Sequence, residues 1–333
     1  MKRNEIIVAI AMIAMGLIAP WILPSVWTTV VSIFCYYAIL TIGWNIIFGY
    51  TGLFSYGHVA FPAIGGYTSA LLAEHIGLSP FLGLLAGGLA AGCMGVLIGL
   101  LILRVRGFYL CLVTWAFAEV VNVVLKAEHQ ITGGTGGFLA PSFVSGPNAE
   151  MVGYFIGLGL MALTFVVSAL LYHSRWGLYL FAVRDDIDAA ESMGVKTRFW
   201  KVFGFAFGCA WAGVAGAFYT HYFNLVDPSI GGLDEMGKVC LIVIIGGLGT
   251  VYGPILGSFF VVIVAEFLRG WVGGYSLLIF ATIMILAVRF VRGGFMEIIQ
   301  VISPHLRDKY LMLIGKRKLS SDNVPPEQIG IDD

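Results

Sequence analysis

The sequence predicts an all-α protein that crosses a membrane many times. Three observations carry that prediction. The chain is 59% hydrophobic and 11% charged, with a mean hydropathy of +0.92, whereas a soluble domain usually has about 25% charged residues. Apolar stretches near the roughly 20 residues that a helix needs to cross a core of about 30 Å recur along it. The 19 Lys and Arg residues fall mostly in alternate connecting segments.

The first candidate span is Ile6–Leu23, preceded by Lys2 and Arg3. A basic start and an apolar run resemble a signal peptide. The run continues through Trp21 and Leu23, and Ala11–Gly16 offers a poor cleavage site, so we read an uncleaved span. Thr28–Phe48, His58–Leu72, Phe81–Leu103, Phe108–Leu125, Val152–Tyr172 and Val202–Phe223 follow, and Leu277–Val291 is the last. Lys238–Leu268 is also apolar but is interrupted by Gly246-Gly-Leu-Gly-Thr250 and Tyr252-Gly-Pro254.

Positive charge sets the expected orientation. With the N-terminus in the cytoplasm, all Lys and Arg fall inside except Lys126, Lys238 and Arg269. A single crossing by Lys238–Leu268 would export the basic tail after Arg289. The part before its glycine break, Lys238–Ile245, reaches only about 12 Å at roughly 1.5 Å per residue. We therefore expect a re-entrant pair that dips in, turns at the glycines and returns through Ile255–Leu268. Eight full spans plus this pair make ten segments. Residues 1–303 form one transmembrane domain with a cytoplasmic loop over 174–201. Residues 304–333 form a cytoplasmic tail, disordered from Ser320 onward.

A second glycine-rich break, Gly49-Tyr-Thr-Gly-Leu-Phe-Ser-Tyr-Gly-His58, follows the second span. Matching interruptions suit a transport pathway, because freed backbone groups survive only against protein or a watery cavity. Close helix packing through small residues, with 44 glycines available, is the alternative. The pathway candidates are Gly49, Thr51, Gly52, Ser55, Gly57, His58, Gly246, Gly247, Gly249 and Thr250. Glu119 joins them as a carboxylate within a span, although an interhelical hydrogen bond is its plainer reading. His58 suits packing at the break as well as transport. Glu266 reads as a surface pair with Arg269, three residues on.

The chain shows no chemistry of its own. It lacks GxxxxGK[ST], HExxH and GxSxG, and it has no clustered metal ligands. Its five cysteines lie in apolar stretches and read as packing residues. Gly133-Gly-Thr-Gly-Gly137 has no phosphate-binding lysine and falls outside in this topology, in the loop Ala127–Glu150. It reads as a flexible loop or an external contact.

Eight of the 38 charged residues lie between Arg184 and Lys201. Asp185, Asp186 and Asp188 favour a helix N-terminus, Ala189 and Ala190 offer a small face, and Gly194 ends the helix. A short cytoplasmic helix of this kind can seat in a groove on a partner.

Here the chain resembles the permease subunits of ABC importers, especially the branched-chain amino acid permeases. Asp188-Ala-Ala-Glu-Ser-Met-Gly194 looks like that family's Glu-Ala-Ala…Gly loop, with Asp188 at the Glu. Asn45-Ile-Ile-Phe-Gly-Tyr-Thr-Gly-Leu-Phe-Ser-Tyr-Gly-His58, Arg106-Gly-Phe-Tyr109 with Glu119, Thr132-Gly-Gly134, Ala212-Gly-Val-Ala-Gly216 and Gly246-Gly-Leu-Gly-Thr-Val-Tyr-Gly-Pro254 follow the family's order. The resemblance implies a type II-like importer fold in a bacterial inner membrane. It implies a second, LivH-like permease, two cytoplasmic ATPases that bind ATP and Mg, and a periplasmic binding protein, with no cofactor in this chain and no nucleic acid partner. Arg184, Asp185, Asp186, Asp188, Ala189, Ala190, Glu191, Met193 and Gly194 would then couple to the ATPase. Thr132, Gly133, Gly134 and Gly136 would meet the binding protein. The solute would be a small amino acid, branched-chain foremost; urea, short amides and simple sugars are the family's other cargoes. Rival readings are an ion-coupled carrier of a small polar solute and a structural subunit lining no pathway.

Overall fold

A computed structural model of the chain describes residues 24–272, apart from 104, 106, 145 and 147, and the isolated residues 16, 20, 21, 281, 282 and 285. Most of the expected first span, most of the last span Leu277–Val291, Arg104, Arg106 and the tail from Pro304 lie outside the described residues.

The described residues form an all-α bundle. Helix α1 (Ser25–Asn45) starts after Pro24 and continues into a wider π turn, Ile46–Tyr50. An irregular stretch leads to α2 (Ala60–Ile76), followed by α3 (Pro80–Ile102) and α4 (Phe108–Ala127). A short α5 (His129–Thr132), a 3-10 turn (Gly134–Gly136) and β1 (Phe138–Leu139) make up the next loop. Then come α6 (Ala149–His173), α7 (Arg175–Asp185), α8 (Ile187–Ser192) and α9 (Thr197–Phe223). Strand β2 (Leu225–Val226) pairs antiparallel with β1, and a 3-10 turn (Pro228–Gly231) precedes α10 (Leu233–Gly246) and α11 (Gly253–Val272).

Five helical stretches are long and apolar enough to cross a membrane: Val26–Tyr50, Pro80–Leu101, Phe108–Ala127, Ala149–His173 and Thr197–Phe223. The chain is thus an all-α polytopic membrane protein. Helix α1 is central, packing against α6, α9 and α11 and burying Cys35, Ile39, Leu40, Ile42 and Trp44. Helices α2, α3 and α9 pack most extensively with one another. The outward face of α3 carries Leu82, Leu85, Leu89, Leu97 and Leu101, side chains that lipid solvates without cost.

Contacts along α1 act as a ruler for the broken segment. Tyr37, halfway along α1, hydrogen-bonds to Glu235 at the start of α10. Asn45, at the end of α1, bonds to Gly249 and Thr250. Phe34 meets Phe259 and Trp27 meets Phe267, so α11 runs back along the whole of α1. This corrects the expected geometry of the pair. The half-helix starts at Leu233, not Lys238, and its glycine turn lies level with the end of α1. The reason is the stretch after α9, which reaches the middle of the bundle as strand and 3-10 turn. That stretch is too short and polar to register in hydropathy. Its backbone finds side-chain partners near and far: Asn122 Nδ2 on α4 donates to Pro228 O at 3.2 Å and Ser229 N to Asp227 Oδ1 at 2.8 Å.

Candidate coupling and gating site

Three sets of residues singled out in the sequence meet at one junction. At the end of α1, Asn45 is buried and bridges the second break, accepting from Gly249 N–H at 2.8 Å and donating to Thr250 O at 2.9 Å. Gly49 lies against the same loop: a Cβ there would fall 2.8 Å from Gly249 Cα and N. Only glycine allows two backbones so close. Gly249 also has φ +73°, a left-handed conformation that favours glycine. From the polar segment, Arg184 Nη1 donates to Gly49 O at 2.8 Å. Its Nε and Nη2 each lie 2.9 Å from Asp185 Oδ1, and its guanidinium stands 5.1 Å from the centre of the Phe181 ring. One arginine thus ties the charged segment to a π turn whose glycine touches the other glycine turn.

The polar segment differs from the expected single helix. It breaks at Asp186, whose carboxylate accepts from the N–H groups of Asp188 and Ala189 at 2.9 and 3.0 Å and so starts α8. Arg184 and Asp185 therefore belong to the end of α7. Gly194, at φ +82°, ends the turn with Val195 N bonded to Ala190 O at 3.0 Å, as the sequence led us to expect. Ala190 is a correction: it is 5% exposed and faces the protein. A helix of six residues has one inward side, and Ala190 occupies it. The outward side carries Asp188, Ala189 and Met193, and Met193 is 85% exposed. Glu191 accepts from the Thr197 hydroxyl, tying α8 to α9.

The first break is close-packed. Ser55 and His58 are fully buried, and Thr51 and Gly57 are buried beside them, while Gly52 is exposed. Side chains of neighbouring helices bond to its irregular backbone: Trp44 Nε1 donates to Ser55 O at 2.8 Å, and Tyr56 N to Thr114 Oγ1 at 3.0 Å. His58 Nε2 lies 3.3 Å from Leu40 O, and its Nδ1 has no partner among the described residues. Gly246 and Gly247 are buried in the second turn, and Thr250 caps it, its hydroxyl donating to Gly247 O at 2.7 Å and accepting from Gly253 N at 3.0 Å.

Glu119 is not part of this junction. Helix α4 buries one narrow stripe, Leu110, Thr114, Ala118 and Asn122. Glu119 lies on the exposed side with Trp115, Val120 and Val123. The glycine run of residues 133–137 includes a 3-10 turn and leads into β1, which pairs with β2. Thr132 and Gly134 are buried, Thr132 donating to Leu125 O at 2.8 Å. Gly133 is half-buried, and Gly136 is exposed at the tip beside Thr135.

Two features escaped the sequence reading. One is Asn45, for which a lone amide in an apolar run beside a glycine break is the visible signal. The other is the set Tyr37, Glu235 and Lys238, assembled from segments 198 residues apart. Among the described residues no group of His, Cys, Asp or Glu could hold a metal.

Comparison with known proteins names the family. The model for "Branched-chain amino acid transport system / permease component" matches residues 26–288. The high-affinity branched-chain amino acid transport system permease protein LivM of Escherichia coli K12 is 30% identical over 304 residues, covering 83% of this chain and 71% of that protein. LivM of Salmonella typhimurium is 32% identical over 277 residues, covering 75% of this chain and 65% of that protein. The high-affinity branched-chain amino acid transport system permease protein LivH of Escherichia coli K12 is 25% identical over 248 residues, covering 67% of this chain and 78% of that protein. No solved structure matches the chain. The match to the family model spans well over half of the sequence, and this chain belongs to the permease-component family of branched-chain amino acid transport systems.

Proposed function

We propose that this chain is a membrane permease subunit of an ATP-driven importer that moves branched-chain amino acids by alternating access. A second permease of the LivH type, two ATPases on the cytoplasmic face and an external binding protein complete the assembly. The family membership and the names of the relatives support the substrate class. Both termini lie in the cytoplasm and the chain makes ten segments, a reading supported by the charge count and by α11 running back along α1.

One observation carries the mechanism: Arg184 bonds to Gly49 O while Gly49 lies against Gly249. The crossing of the two glycine breaks acts as a closed inner gate, and Arg184 is its link to the ATPase. Closure of the ATPases moves α8 through its outward face, Asp188, Ala189 and Met193. That displacement draws Arg184 away from Gly49 and separates the two breaks. The exposed side of α4 meets the second permease, with Glu119 on the shared pathway. A carboxylate at a helix centre facing lipid costs about 2.5–3.5 kcal/mol, which favours a face covered by protein or water. Thr135 and Gly136 at the outer tip are the contact for the binding protein, with Thr132, Gly133 and Gly134 shaping it.

The test is reconstitution of the chain with its second permease in liposomes, with and without the ATPases and binding protein. The expected result is leucine uptake only with ATP and all partners. Uptake driven by a proton or sodium gradient without ATPases would overturn the reading. An Ala189→Arg variant is expected to lose ATPase binding and uptake together while still assembling with the second permease.

A further inference from the structure

A cavity of about 360 Å³ lies between α1, α9, α10 and α11, beside the start of α10. Its size falls in the range of about 300–1,000 Å³ typical of small-molecule sites. None of the residues in the gate or the coupling segment lines it. One wall is polar. Tyr37 Oη donates to Glu235 Oε2 at 2.6 Å, and Lys238 Nζ stands 2.6 Å from Glu235 Oε1 and 3.5 Å from Tyr37 Oη. The lining also has an aliphatic part, Ile33, Val261 and Val262. At the rim Arg269 and Glu266 form a looser pair at 3.6 Å. Tyr36 also contributes to the lining; it is 3% exposed, and its hydroxyl has no hydrogen-bond partner among the described residues.

Two observations are hard to explain by packing alone. A half-buried ion pair midway along a membrane bundle gives less stability than apolar residues of the same volume would. Several buried hydroxyls lack a partner among the described residues, and that of Tyr36 is the one at this cavity. Both make sense if a ligand completes the site. The ligand's charge follows from the lining. A lone cation or anion would leave one member of the Glu235–Lys238 pair uncompensated. A zwitterion keeps the site neutral and offers each member a partner. The aliphatic part then calls for an apolar side chain.

We infer that this cavity binds an α-amino acid zwitterion with an aliphatic side chain within this one chain. The ammonium faces Glu235, the carboxylate faces Lys238, and the side chain lies on Ile33, Val261 and Val262. The inference rests on the amino acid reading proposed above and adds a resting place for the solute halfway along α1. The chain reaches this level through interrupted structure, as transporters do where backbone lines a binding cavity.

The experiment uses the full chain assembled with its second permease in lipid nanodiscs, without ATPases or binding protein. The readout is equilibrium binding of radiolabelled L-leucine. Binding is expected, at least tenfold tighter than for 4-methylpentanoate, which lacks the ammonium, or 3-methylbutylamine, which lacks the carboxylate. Ala265→Trp, which fills the cavity, and Glu235→Gln, which removes its negative charge, are each expected to weaken binding at least tenfold. Tyr36→Phe should weaken it a few-fold. Co-purification of the second permease shows whether each variant has folded, and the analogue series needs no variant at all. Equal binding of leucine and both analogues, or unchanged binding by a correctly assembled Ala265→Trp, overturns the site. If the complete assembly imports leucine with ATP but these results fail, only the site falls. If the assembly imports no branched-chain amino acid, the substrate proposal falls. The site then survives only if another aliphatic amino acid binds in a Glu235-dependent way.

Discussion

Arg184 and Asn45 bear most of the junction. The guanidinium of Arg184 reaches a carbonyl on one side and a carboxylate on the other, with a ring beneath it. A planar fork does this and a single ammonium does not. Arg184→Lys is therefore expected to retain part of the uptake, whereas Arg184→Ala should lower ATP-driven uptake at least tenfold while ATP hydrolysis continues. Uptake and hydrolysis measured side by side in liposomes check this. Asn45 serves one donor and one acceptor of the second glycine turn. Asn45→Leu would strand Gly249 N–H and Thr250 C=O away from water, at about 1–3 kcal/mol for each buried group left unpaired. A clear fall in the thermal midpoint of the detergent-solubilised chain is the expected outcome.

At the scale of elements, the broken segments explain how a membrane protein tolerates irregular backbone. The stretch after the π turn is irregular, yet Trp44 and Thr114 supply partners for Ser55 O and Tyr56 N. A π turn at the end of a long helix is a recurrent mark of functional sites, and here it carries the glycine that Arg184 holds. Helix α4 makes the opposite choice. It spends only an i, i+4 stripe on its own chain and leaves Trp115, Glu119 and Val123 outward. If that face meets the second permease, a cysteine at Val123 should be protected from a membrane-permeant maleimide on co-assembly. The experiment requires replacing the exposed native Cys93 first. Equal labelling of the isolated and assembled chain would place the partner elsewhere.

For the whole molecule, hydropathy made the long helices legible: each expected span among the described residues contains or overlaps a helix. It blurred their ends. Helix α9 begins at Thr197 rather than Val202, because Arg198 and Lys201 on its first turns read as loop residues. The candidate site was legible as a set of residue types. Gly49, Gly249 and Arg184 were all singled out from glycine breaks and scarce charge. Their meeting was not legible, since Arg184 and Gly49 are 135 residues apart in sequence and no local pattern specifies such a contact. Ala190 was misjudged for a related reason: small size marks a face that packs closely but does not say against which partner.

The sequence by itself determined a polytopic helical protein of the branched-chain amino acid permease family, with a charged segment set apart from its spans. Those properties follow from apolar run length, charge placement and short ordered motifs, all of which are local. Only the tertiary structure decided that the two glycine breaks touch, that Arg184 holds one of them, and that Tyr37, Glu235 and Lys238 wall one cavity. These are contacts between distant segments. They arise where buried backbone and charged groups must find partners inside the bundle, because the hydrocarbon core offers them none.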